Sequence, residues 1–163
     1  MEGFKMKKII WFLIFLAVIG KFCFAADEHL YSTWDVLELD TCASAWLIKK
    51  FVDTQAEFRF YPKGEFITEG VAFDTPDAKF RRTRNMSTFE TIVQEYRIED
   101  EALFKIAEMI HDIEINFWVG DLTQEAKVLN QEVLEIIRQT KIPQEAFKRS
   151  FPVFDELYRG LKR

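Results

Sequence analysis

The stretch Asp40-Thr41-Cys42-Ala43-Ser44-Ala45-Trp46-Leu47-Ile48-Lys49-Lys50-Phe51-Val52-Asp53 decides the fold. Aspartate is a residue type that accepts from the free N–H groups of a helix's first turn, so a helix is expected to start at Asp40. Ala43, Trp46, Leu47 and Lys50 or Phe51 recur at i, i+3, i+4 and i+7, giving that helix one apolar, partly aromatic face. Ala43 and Ala45 allow a close neighbour, and Lys49 and Lys50 fall in the last turn, where the helix dipole favours cations. The expectation is a short helix over residues 40–52, buried against a sheet, with its N-terminal end free to present polar groups.

Working outward, residues 27–32 are polar and expected to fray, while residues 33–39 read as a strand buried on both faces. On the other side, Glu57-Phe58-Arg59-Phe60-Tyr61 alternates as a strand does and stops at Pro62-Lys63-Gly64. Strand, helix and strand in about 30 residues form a βαβ unit, whose strands are parallel neighbours. Residues 71–73 and 79–81 predict two more short strands around the turn Thr75-Pro76-Asp77. Four helices are then expected, at residues 88–96, 99–111, 122–140 (capped by Asp121) and 144–161. Pro152 must kink the last of these or begin a new helix. The fold class is therefore α+β: a small sheet from the N-terminal half packed by helices, with a helical C-terminal half.

The same stretch resembles the chromate resistance exported protein family, whose domain is shared with the C-terminal part of the chromate-responsive regulator ChrB. The family's helix is written Asp-Arg-Ile-Ala-x-x-Trp-Leu-Ile-x-Arg-Phe-Ile-Asp. Asp40, Ala43, Trp46, Leu47, Ile48, Phe51 and Asp53 match it, while Thr41, Cys42 and Lys50 depart from it. The likeness continues through Ala56-Glu57-Phe58, Phe73-Asp74, Thr88-Phe89-Glu90 and His111-Asp112-Ile113. It covers roughly residues 34–118 and implies a role connected with chromate resistance.

The 163 residues suffice for one domain. Lys5, Lys7 and Lys8 precede an apolar run from Ile9 to Ile19, and Cys23-Phe24-Ala25 offers a cleavage site. That run is short beside the roughly 20 residues of a membrane-spanning helix. Residues 1–25 are therefore expected to be a cleaved signal peptide, residues 26–163 a single chromate-resistance-like domain, and the protein periplasmic. Cleavage leaves 18 basic against 26 acidic residues, a net charge of −8, which disfavours nucleic acid and anionic lipid as partners. Cys42 would then be the lone cysteine, with no partner for an intrachain disulfide, and is expected to be buried. With a leader and no DNA-binding half in view, the exported form rather than the regulator is the expectation.

Three groups could carry chemistry. Ser87-x-x-Glu90 is a capping box, and Glu90 can also face a site. His111 and Asp112 can be a helix-end histidine and a surface aspartate, or can converge with Glu90 and Asp40 on a divalent metal such as Zn, Mn or Fe. Arg81, Arg82 and Arg84 form a basic cluster that either balances nearby carboxylates or, with the amides after Ser87, cradles a small oxyanion. In the resembling family a histidine often stands near the position of Arg82. Asp74-Thr75-Pro76-Asp77 reads as an ordinary turn. No nucleophile triad, phosphate loop or paired zinc cysteines is present. The expected function is a binding or sensing protein for a metal ion or small oxyanion. The alternatives are a metal-dependent reductase or hydrolase and an interaction domain whose polar residues are all caps.

Overall fold

The computed structural model describes residues 29–116, 120 and 122–163, and the expected leader and its cleavage site lie outside them. Strands β1 (Leu30–Trp34), β2 (Glu57–Tyr61) and β3 (Val71–Ala72) are parallel and ordered β2-β1-β3. The helices are α1 (Leu39–Leu47), continued by a π turn at Ile48–Val52, then α2 (Thr88–Glu95), α3 (Glu101–Glu114), α4 (Gln124–Gln139) and α5 (Pro143–Leu161). The class is α+β, as expected. Among the described residues no helix is long and apolar enough to cross a membrane.

β1 and β2 form the expected βαβ unit, with Leu30 opposite Glu57 and Trp34 opposite Tyr61. β1 starts three residues earlier than its sequence suggests, because Ser32 looks like part of a polar, fraying end and is buried in the sheet. The loop before β3 explains this. Ser32 Oγ donates to the Glu69 carbonyl at 2.8 Å, and Gly70, at φ +79°, lies so close that a Cβ would stand 2.7 Å from the Leu30 carbonyl oxygen. The polar strand is thus covered by backbone. The strand expected at residues 79–81 reduces to one parallel bridge between Phe73 and Phe80.

α1 is the hub of the core, packing against α2, α3, α4 and α5. Every one of its residues is buried, so it has no solvent face at all, in contrast to the single apolar face expected. Trp46 is fully buried, with Phe51, Phe154 and Tyr158 ring centroids 5.5–6.0 Å away and its indole N–H donated to Asp155 Oδ1 at 2.9 Å. Phe58 and Phe60 place one sheet face against Phe147 of α5, at 5.2 and 5.0 Å between centroids. Burying each large side chain of this kind contributes about 1.5–3 kcal/mol. Phe147, Phe151 and Phe154 anchor α5 on both sides of Pro152, and the helix runs through the proline without restarting. Cys42 is buried as expected, and burial pushes its thiol up to about 12, away from the reactive thiolate form.

Two helix boundaries bear on function. α3 extends to Glu114, so His111 lies inside the last turn instead of closing the helix. α4 starts at Gln124 with Thr123 as its cap, while the expected cap Asp121 lies outside the described residues.

Candidate functional site: a cleft at the strand ends

Asp40 is not the N-cap of its own helix. Glu38 holds that position, its backbone N–H donating to Thr41 Oγ1 at 3.1 Å. Asp40 sits one residue inside α1, fully buried, and its carboxylate caps a different helix. The Thr88 and Phe89 amides at the start of α2 donate to it at 2.6 and 2.9 Å, and Ser44 Oγ adds a bond at 3.2 Å. The next amide, of Glu90, donates to Ser87 Oγ, and Glu90 Oε2 accepts from the Ser87 amide at 2.7 Å, completing the expected capping box. The start of α2 is therefore closed by the protein's own carboxylate. The amides that the sequence offered to an oxyanion are already taken.

Arg82 stands beside this carboxylate. Its Nη2 pairs with Glu38 at 2.9 Å and with Glu114 at 2.7 Å, and its Nε lies 3.9 Å from Asp40, buried without a hydrogen bond. Burial would lower the guanidinium pKa, but Glu114, Asp40, Asp74 and Glu38 together hold it above its ordinary value. Burial raises the Asp40 carboxyl to about 6 although the two amides and Arg82 oppose this. Glu114 is raised as well, by burial first.

Asp74 follows β3 in the left-handed region at φ +52°, where aspartate is among the few side chains readily tolerated. Thr88 Oγ1 donates to one carboxyl oxygen at 2.7 Å and Thr41 Oγ1 donates to the other. Burial and the neighbouring Asp40 raise its pKa to about 7. Unlike Asp40, it faces open space. A cleft of about 470 Å³ is lined by the acids Glu38 and Asp74, the cations Lys63, Arg81 and Arg82, the hydroxyl of Thr41, and Trp34, Val36 and Pro76. Its position follows from topology. β1 leads through α1 to β2 on one side, whereas β3 pairs on the other, so the strand order reverses across β1 and the cleft lies beyond the carboxyl ends of β1 and β3. In open parallel sheets that switch point is where ligands bind.

The structure treats the expected site residues differently. Glu90 and His111 meet, with His111 Nδ1 2.9 Å from Glu90 Oε2. Asp112 instead accepts from Asn116, and Asp40 is spent on α2. Among the described residues no three His, Cys, Asp or Glu side chains are disposed to hold one metal ion. Of the arginines, Arg82 is neutralised from inside, Arg81 donates to the Ala78 carbonyl and lines the cleft, and Arg84 lies exposed outside it. Sequence reasoning missed Glu38, Thr41, Lys63, Thr88 and Glu114, and took Asp74 for a turn residue. The available signal for Asp74 was its place straight after a strand of a parallel sheet.

These features define a class: a small parallel α+β domain with a mixed-charge cleft at its strand ends. Within that class, the family model for the ChrB C-terminal domain matches residues 31–161, and the chain belongs to that family, one connected with chromate resistance. Comparison with curated proteins and with solved structures returned no match.

Proposed function

We propose that this chromate-resistance-family domain is an exported binding protein that takes a small anionic ligand in the switch-point cleft, on Lys63 and Arg81. The observation that carries it is charge left unneutralised. Arg82 is held by two carboxylates, whereas no carboxylate lies within 4 Å of the Lys63 ammonium or the Arg81 guanidinium among the described residues. Both cations line a cavity of the size that small ligands occupy, about 300–1,000 Å³. An anion there would gain charge-assisted hydrogen bonds. A resident divalent metal has less support, since Glu90 and His111 form only a pair.

Calorimetric titration of chromate and sulfate into the wild type and a Lys63→Ala/Arg81→Ala variant tests the proposal. Saturable binding, weakened at least about tenfold in the variant, supports it. Binding of equal strength in both proteins, or none in either, overturns it. Export is tested separately by fractionation, with the mature N-terminus expected after Ala25 or Ala26.

A further inference from the structure

The cleft holds more than an anion site. Its volume leaves room for on the order of fifteen water molecules, far beyond what one tetrahedral oxyanion displaces. Its wall also carries a carboxyl outside every ion pair: Asp74 accepts from two threonine hydroxyls, feels Arg82 only from beyond 4 Å, and has no lysine, arginine or histidine within 4 Å among the described residues. An inorganic dianion on Lys63 and Arg81 would share the cavity with that carboxyl and gain nothing from it. Glu38, the other acid of the wall, is already paired with Arg82. The groups left to a ligand are thus two cations, one carboxyl and an apolar strip made by Trp34, Val36 and Pro76. Val36 is half exposed, while the Trp34 indole N–H is committed to the Glu65 carbonyl at 2.9 Å, which fixes the ring at the cleft wall.

Resting on the anion site proposed above, we infer that the cleft takes a zwitterionic organic molecule of amino-acid size. Its carboxylate lies on Lys63 and Arg81, its ammonium on Asp74, and its hydrocarbon part against Trp34 and Val36. Each unneutralised group of the cleft then has a partner. The fixed hydrogen bonds on Asp74 give specificity, because a carboxyl oriented by Thr41 and Thr88 loses more when the ammonium is missing than a freely moving one would.

The experiment compares L-phenylalanine with 3-phenylpropionate, which lacks the ammonium, and with 2-phenylethylamine, which lacks the carboxylate, by calorimetry on the whole protein. Sulfate is titrated alongside. The inference expects phenylalanine to bind at least about tenfold more tightly than either analogue. In an Asp74→Asn variant, which keeps a side chain tolerant of the left-handed backbone, the margin over 3-phenylpropionate should shrink to less than about threefold. Should that variant not fold, the wild-type comparison stands alone. Equal binding of phenylalanine and 3-phenylpropionate, or an undiminished margin in Asp74→Asn, overturns the inference and leaves the anion site standing. So does sulfate binding without any organic ligand. Silence from every probe, sulfate included, removes the inference together with the anion site beneath it.

Discussion

Asp40 and Asp74 stand on either side of Thr88, which gives its amide to one and its hydroxyl to the other. Around Asp40 everything is closed: two helix amides, a serine hydroxyl and a guanidinium surround a carboxylate with no exposed surface. Around Asp74 the same chemistry opens onto a cleft bordered by cations that the protein leaves unneutralised. The contrast separates a group that holds the fold from a group that lines an open cleft. Both are raised carboxyls, so a perturbed pKa alone does not tell them apart. Exposure does: Asp40 is fully buried, whereas Asp74 lines the cleft.

Removing the closed carboxylate should produce the largest effect. Asp40→Ala leaves the Thr88 and Phe89 amides buried without acceptors and takes from Arg82 one of its counter-charges. A loss of about 3–5 kcal/mol in urea unfolding is expected, enough to leave the protein marginal. A loss below about 1 kcal/mol would erase the distinction between the two carboxyls.

Arg82→Met comes next, at about 2 kcal/mol. It strands Glu38 and Glu114, but the guanidinium is one-third exposed and solvent screens part of the cost. Its midpoint in urea should recover as the pH falls and the stranded Glu114 takes up a proton.

Asp74→Asn sharpens the comparison through pH. A carboxyl whose pKa is raised in the folded state stabilises fully below its unfolded value, about 4, and loses that contribution as the pH rises through the folded value, about 7. The wild type should therefore lose at least about 1 kcal/mol of its margin over Asp74→Asn between pH 4.5 and 7.5. A margin that grows over the same interval would mean that Asp74 is stabilised as the anion.

The smallest change in stability belongs to Lys63→Ala/Arg81→Ala, within about 0.5 kcal/mol, because neither cation holds another part of the fold through an ion pair. Its anion affinity should nonetheless fall at least tenfold. A marked loss of stability there would place these cations with Asp40 instead.

The fold was legible where the signal is local. The strand at Glu57–Tyr61, the capping box at Ser87 and Glu90 and the apolar stripe of α3 are each written within a few residues, and each appears as expected. What resisted was set across the chain. Asp40 looks like the cap of the helix that contains it, yet it caps a helix 48 residues on. Ser32 looks like part of a frayed end until the loop through Gly70 covers it. Arg82 looks like one of three equivalent arginines, and only the extension of α3 to Glu114 shows that it is consumed internally. The cleft itself is a product of strand order, which composition and periodicity do not encode.

The most direct measurement is a backbone amide chemical-shift titration of the folded protein with sulfate. The account predicts saturating shifts at Trp34, Lys63, Asp74 and Arg81, around the open cleft, with Thr88 and Phe89 still because Asp40 already occupies their amides. Shifts concentrated at Thr88 and Phe89, with the cleft residues unmoved, would contradict it.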